Sequence, residues 1–175
     1  MKIFLNPGHD QEVDSGAVNP YDGTREADVV AKLGLLLAAK LQATDFTVQS
    51  KQNDDLEAVV EAPNSWPADI FVALHCNASS AHDARGTETL YRSEQGRGLA
   101  ECVQKCIVSQ ISTTDRGCKL RTDLYVLNAT TMPAILIELA FIDDYGDLAL
   151  LKNSLPTYAE AITKGISDYF AKGDC

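Results

Sequence analysis

The feature that most constrains the fold is the regular alternation of short apolar runs with longer amphipathic stretches. The strand-like runs are KIFLN, FTVQS, DIFVALH, TETLYR, LYVLN and AILIELAF. The helical patterns lie near residues 25–43, 54–62, 95–111, 145–152 and 155–171. Such alternation is typical of α/β proteins, in which helices cover both faces of a parallel sheet. We therefore predict an α/β fold with a twisted, mostly parallel central sheet of about six strands and helices on both faces.

Length and composition narrow the class of protein. The 175 residues are enough for one hydrophobic core, and the absence of repeats and linkers predicts a single domain over residues 1–175. The formal net charge of -10 argues against nucleic-acid binding, which requires clustered Lys and Arg. No apolar run approaches the roughly 18 residues of a transmembrane segment. The first apolar run ends at Asn6-Pro7, which is too early for a signal peptide.

The five cysteines are odd in number and lack the paired spacing of a disulfide framework. This pattern favours a reducing site of synthesis, and we expect that disulfides do not hold the fold. Cys102 and Cys106 lie four residues apart on a predicted helix. Without a further cysteine pair, we interpret them as small buried hydrophobic residues rather than metal ligands.

Histidines lie at the carboxyl ends of two predicted strands, at the edge where open α/β sheets form their binding sites. His9 comes after the first strand in the turn NPGHD. The backbone of such a turn requires Pro7 and Gly8, but it does not require a histidine. His75 ends the run DIFVALH. Both histidines are therefore candidates for chemistry at this edge.

Two carboxylates stand in otherwise apolar patterns. Glu138 interrupts AILIELAF, where burial is costly unless the carboxylate is paired, protonated or bound to a cation. A structural ion pair is the alternative interpretation. Glu26 lies on the same side of a predicted helix as Val30 and Leu33, although a first-turn Glu also complements the helix dipole.

Taken together, the four residues suggest a metal site. Two histidines and one carboxylate are a common ligand set for catalytic zinc, and metal-assisted hydrolysis uses a second carboxylate as a general base. The residues are far apart in the sequence, however, and no H-E-x-x-H motif is present. From spacing alone, a zinc hydrolase remains a hypothesis.

Five segments extend this hypothesis through a resemblance to a known family. NPGHD…DSGAV, READVVAKLGLLLAAKL, DIFVALHCNAS, GTETLYR and LYVLNATTMPAILIELAFIDD occur in this order. In sequence and order they resemble the zinc-dependent N-acetylmuramoyl-L-alanine amidases, from residue 3 to near residue 170. The resemblance implies hydrolysis of the amide between N-acetylmuramic acid and the L-alanine of the peptidoglycan stem peptide.

The resemblance also implies roles for the four residues. It makes His9, Glu26 and His75 the ligands of Zn²⁺, and it makes Glu138 the catalytic carboxylate that accepts and returns a proton. The chain departs from the family at Asn6 and Asp10, near the proposed ligand His9, which predicts altered surroundings of that histidine. It also carries Asn128 where the family commonly has an arginine.

The sequence constrains the substrate-binding residues less than it does the metal ligands. Arg116, Lys119 and Arg121 lie in DRGCKLRTD, a segment read as a loop that could meet stem-peptide carboxylates. The alternative is an ordinary solvated loop. Asn77, two residues after His75, is a further candidate for substrate binding.

The expected partner is peptidoglycan or a muropeptide, bound by a monomer that acts on the cell wall as an autolysin or endolysin. With no signal peptide in this chain, release by lysis, trimming from a larger secreted enzyme and another export route all stay open. The alternatives are a zinc peptidase or deacylase of other specificity, an inactive wall-binding domain, and a structural α/β domain.

Overall fold

The computed structural model describes residues 1–172. The elements are β1 (Lys2–Pro7), α1 (Glu26–Gln42), β2 (Thr47–Ser50), α2 (Leu56–Ser65), β3 (Ile70–Asn77), β4 (Thr87–Tyr91), α3 (Glu94–Gln110), β5 (Asp115–Leu120), α4 (Tyr125–Ala129), β6 (Ala134–Phe141), α5 (Tyr145–Asn153) and α6 (Leu155–Lys172). The strand order of the six-stranded sheet is β2-β1-β3-β6-β4-β5. Among the strands of residues 1–172, β4 and β6 alone pair in antiparallel fashion, and the other neighbours are parallel. The predicted mostly parallel α/β fold is confirmed.

Helices cover both faces of the sheet, as predicted. One face, here called the three-helix face after its long helices α1, α3 and α6, covers apolar strand residues that include Leu5, Leu74 and Ile137, and the shorter α5 joins this core beside β6. The other face, here called the two-helix face, carries the shorter helices α2 and α4 over Phe4 and Phe71. Successive side chains of a strand point to opposite faces, so each central strand contributes to both cores.

Two segments differ from the sequence prediction. LYVLN, predicted as a strand, forms α4 instead, and its adjacent residues Val126 and Leu127 are both buried against the two-helix face. DRGCKL, predicted as part of a loop, forms β5, which pairs only with β4 at the end of the sheet. Six strands result because one wrong strand and one missed strand compensate.

The cysteines behave partly as expected. Cys102 and Cys106 are buried on α3. Cys76, Cys106 and Cys118 are free thiols, whereas Cys102 is disulfide-bonded. The chain therefore contains a disulfide, and the expectation that disulfides do not hold the fold stays a prediction. Among residues 1–172, no helix combines the length and apolar character that crossing a bilayer requires.

Candidate metal centre and active site

The turn after β1 presents His9 in a left-handed backbone conformation. Its φ of 61° is uncommon for a residue other than glycine. A Cβ on Gly8 would lie 2.2 Å from Cε1 of His75, and one on Gly16 would lie 2.5 Å from Cδ2 of His9. The two glycines therefore let the backbone approach both imidazole rings closely, because any larger residue would displace a ring.

Glu26 is the first residue of α1, and only 3% of its surface is exposed. Its Oε1 accepts a hydrogen bond of 2.8 Å from the backbone N–H of Cys76 and lies 3.0 Å from Nδ1 of His75. Its Oε2 accepts a bond of 2.8 Å from the N–H of Ala17 and lies 3.2 Å from Nε2 of His9. The helix start thus holds this carboxylate between the two histidines.

The charges of these groups are coupled. Burial by itself would raise the pKa of Glu26, but hydrogen bonds with His75 and His9 lower it to about 2. The hydrogen bond with Glu26 raises the pKa of His9 to about 9, although burial opposes the shift. A proton on His9 therefore stabilises the metal-free centre, and a bound cation would take its place.

Asp14 orients His9 from the other side of the ring. Its Oδ2 lies 2.6 Å from Nδ1 of His9, and its Oδ1 accepts a bond of 3.0 Å from the N–H of Gly16. This contact directs Nε2 of His9 toward Glu26, which is the way carboxylates orient metal-binding histidines. The sequence analysis did not assign a role to Asp14, although the segment DSGAV contains it.

The two departures near His9 hydrogen-bond elsewhere. Nδ2 of Asn6 donates to the carbonyl oxygen of Lys51 at 2.9 Å. Oδ1 of Asp10 accepts a bond of 2.8 Å from the N–H of Glu12, within the turn. Asp14, rather than Asp10, is therefore the carboxylate that supports His9.

Glu138 lies beside His75 on the neighbouring strand. The two residues are register partners in β3 and β6, so their side chains share the two-helix face. Oε2 of Glu138 is buried and has no hydrogen-bond partner among the described residues. Burial is the main reason that its pKa rises to about 7, with His75 opposing the shift and Glu26 adding to it. Such a carboxyl group can accept and return a proton near neutral pH.

A cavity of about 300 Å³ opens beside His9 and His75. It lies on the two-helix face, where the loop before α2 and the residues of α4 form its walls. Its other lining residues are Asn6, Gly8, Asp14, Asn53, Asp54, Leu56, Leu124, Tyr125, Val126 and Leu136. One wall is apolar and the other is polar, which suits a ligand with both characters.

Three of the four predicted substrate contacts meet at a residue that the sequence analysis missed. Nε of Arg116 lies 2.7 Å from Oε2 of Glu88, and Nζ of Lys119 contacts the same oxygen. Nδ2 of Asn77 lies 3.4 Å from Oε1 of Glu88. The alternation in TETLY gave no reason to single out Glu88, because a polar residue on a half-buried strand normally faces solvent.

The remaining predicted contact stands apart. Arg121 forms two hydrogen bonds with the carboxylate of Asp123, of 2.8 Å and 2.7 Å. Asn128, at the position where the family commonly has an arginine, accepts a bond of 2.9 Å from Nε of Arg92. A guanidinium group is thus present beside Asn128, but it belongs to Arg92, which follows β4.

The fold and the site place the chain in the class of α/β domains that carry a candidate metal centre at the carboxyl edge of the sheet. The family model described as N-acetylmuramoyl-L-alanine amidase matches residues 3–168. The chain therefore belongs to the N-acetylmuramoyl-L-alanine amidase family, and the resemblance predicted from its motifs is confirmed.

Individual relatives agree with this assignment. The chain is 33% identical to N-acetylmuramoyl-L-alanine amidase LytC of Bacillus subtilis over 96% of its own length and 35% of that protein. It thus spans about a third of LytC. A solved N-acetylmuramoyl-L-alanine amidase from Clostridium difficile 630 is 31% identical, with a TM-score of 0.91 over 98% of this chain and 97% of that chain. AmiC2 of Nostoc punctiforme is 30% identical, with a TM-score of 0.92 and 98% of each chain covered.

Proposed function

We propose that this chain is a zinc-dependent amidase that hydrolyses the bond between N-acetylmuramic acid and L-alanine in peptidoglycan. One observation carries the proposal. His9, Glu26 and His75 each offer a ligand atom, and these atoms all lie within 4.8 Å of one another. Glu138, with its buried and unpartnered oxygen, lies on the strand next to His75.

The donor set fits zinc. Two imidazole nitrogens and one carboxylate oxygen leave a further position for water or substrate, as in catalytic zinc sites. Glu26 already lies against both histidines, and Asp14 supports His9 from behind. When bound, zinc supplies Lewis acidity that polarises an amide carbonyl and makes a water molecule more acidic.

Glu138 performs the proton transfers in this proposal. Its carboxylate accepts a proton from the water molecule that attacks the amide carbonyl. It then delivers that proton to the nitrogen of L-alanine as the C–N bond breaks. The products are a free carboxylic acid on the muramoyl group and a free amino group on the peptide.

We further propose that residues 1–175 act as a single catalytic domain on the cell wall, as a monomer. The names of relatives support action at the wall, since LytC is an amidase and LytH of Staphylococcus aureus is a probable cell wall amidase. The catalytic residues in this proposal, His9, Glu26, His75 and Glu138, all lie within the matched residues 3–168.

The test is digestion of purified peptidoglycan with and without a zinc chelator, followed by identification of the new chemical ends. We expect new alanine amino groups and muramoyl carboxylates, which disappear with chelator and return with added zinc. New ends at another bond would instead favour a peptidase or deacylase. No new ends from zinc-loaded protein would favour an inactive wall-binding or structural domain.

A further inference from the structure

Four polar side chains form a line across adjacent strands of the two-helix face, here called the polar row. His75 of β3 pairs in register with Glu138 of β6, and Glu138 pairs with Glu88 of β4. The register of β4 and β5 shifts between Thr87 and Thr89, opposite Arg116, which contacts Glu88. The row therefore runs from the candidate metal centre to a cation at the end of the sheet.

The cationic end of the polar row is fixed in position. Glu88 is buried, and its Oε2 accepts from both Arg116 and Lys119. The guanidinium of Arg116 also lies 4.8 Å from the ring centroid of Phe141, within the range of a cation–π contact. Glu88 and Phe141 thus hold the guanidinium of Arg116 in place, and Glu88 also holds the ammonium of Lys119, before any ligand arrives. Such preorganisation lowers the entropic cost of binding.

This cluster carries more positive charge than Glu88 requires. One cation is enough to neutralise one carboxylate, yet two cations share a single oxygen of Glu88. The side chains of Arg116 and Lys119 remain 32% and 43% exposed, whereas that of Glu88 is 9% exposed. The surplus positive charge is therefore open to solvent in a chain whose net charge is -10.

We propose that Arg116 and Lys119, held by Glu88, bind a carboxylate on the stem-peptide residue that follows L-alanine. This inference rests on the proposed function. Neighbouring strands lie about 4.8 Å apart, so the cations around Glu88 stand about one strand beyond Glu138. One extended residue spans roughly 3.3–3.6 Å, and a peptide leaving Glu138 toward β4 reaches the cations with its second residue.

The proposal fixes the direction of the substrate. With the stem peptide over β4 and β5, the muramoyl group lies toward the cavity beside His9 and His75. The apolar wall there, which includes Tyr125 and Val126, suits the non-polar face of a sugar ring and its methyl groups.

The experiment uses two synthetic muramoyl dipeptides with zinc-loaded protein. One carries a free carboxylate on the residue after L-alanine, and the other carries an amide at the same position. We expect the double variant Arg116→Gln/Lys119→Gln to raise KM for the acidic peptide about tenfold, which is the usual effect of losing a charged hydrogen bond. We expect KM for the amide peptide to stay near the wild-type value, and any change in kcat to be equal for the two peptides, because Glu88 lies next to Glu138.

Two further variants control for the change in net charge and for the unpaired charge of Glu88. Arg97→Gln/Lys164→Gln makes the same change in charge on α3 and α6, on the other side of the sheet, and should leave both KM values unchanged. Because the double variant leaves Glu88 charged without its partners, Glu88→Gln/Arg116→Gln/Lys119→Gln provides a neutral version. It should show the same selective loss for the acidic peptide.

The outcomes separate the two proposals. A selective rise in KM for the acidic peptide supports the inference. Equal KM changes for both peptides, or none for either, overturn it while the amidase function stands. If the wild-type protein cleaves neither peptide, the proposed function fails and the inference fails with it.

Discussion

The two faces of the sheet differ in how completely they are covered and in what their side chains do. On the three-helix face, α1, α3 and α6 bury apolar residues such as Leu37 and Leu99 completely. On the two-helix face, the 10-residue α2 and the 5-residue α4 leave the carboxyl ends of β3 and β6 open. Because successive side chains of a strand point to opposite faces, each central strand packs into the core on one face and presents site residues on the other.

Strand β6 shows this difference between the faces at Glu138 and its two neighbours. Ile137 and Leu139, on either side of Glu138, are fully buried in the three-helix core, whereas Glu138 points to the other face. Packing on one face offsets the cost of burying one carboxyl oxygen, Oε2 of Glu138, without a hydrogen-bond partner on the other.

The largest effect should come from Glu138→Gln, which tests chemistry on the two-helix face. The amide cannot accept the proton, so we expect kcat to fall by about 100- to 10,000-fold while zinc content is unchanged. Turnover of a muramoyl peptide and metal analysis of the same sample give both values. Glu101→Gln, on the exposed side of α3, is the matched control. Near-normal turnover of Glu138→Gln would exclude the proposed role.

Leu37→Ala tests the opposite face. Leu37 on α1 is completely buried, so we expect the free energy of unfolding to fall by about 2–5 kcal/mol. Turnover per folded molecule should not change, because the side chain belongs to the three-helix core. Leu35→Ala on the same helix, where 75% of the residue is exposed, should change stability by less than about 0.5 kcal/mol in denaturant titrations. Equal losses in the two variants would contradict the assignment of faces.

Asp14→Asn tests the support of the candidate metal centre. The amide is a weaker partner for Nδ1 of His9, so we expect zinc affinity to fall about 10- to 100-fold. Titration against a competing chelator measures the change. Asp10→Asn, in the same turn, should have little effect because Asp10 bonds to backbone N–H groups. If both variants bind zinc as the wild type does, Asp14 does not orient His9.

We expect pH to have a smaller effect, on the stability of the metal-free protein. The pKa of His9 in the metal-free fold is about 9, above its ordinary value of 6.5. Its contribution to stability is therefore complete below pH 6.5 and disappears as pH rises through about 9. The Tm of chelator-treated protein should fall across this window, while the increase in Tm caused by zinc should grow. His9→Gln should remove the part of the slope that depends on His9.

Much of the fold could be predicted because the central strands are buried on both faces. The runs in β1, β3 and β6 are nearly continuous in apolar residues, which is a strong signal in any short segment. The interruptions at His75 and Glu138 were visible against this background. The structure brings His9, Glu26 and His75 together as the motifs implied, and their catalytic roles stay predictions.

The segments that form β5 and α4 lack a clear periodic pattern of apolar residues. β5 is an edge strand with intermediate burial at most of its residues, so no apolar periodicity marks DRGCKL as a strand. LYVL is as apolar as a strand, and its five-residue helix is too short to show helical periodicity. Glu88 was missed because its burial depends on Arg116 and Lys119, which come from β5.

The position of β5 at the end of the sheet has an evolutionary consequence. Selectivity for the peptide, in the arrangement proposed above, resides on a strand that pairs only with β4 among the described strands. The hydrolytic groups come from the turn after β1 and from α1, β3 and β6. In this arrangement, changes at Arg116 and Lys119 alter peptide selectivity while His9, Glu26, His75 and Glu138 themselves are kept. Exchange of this strand between relatives would then be a route to amidase domains that select differently modified stem peptides.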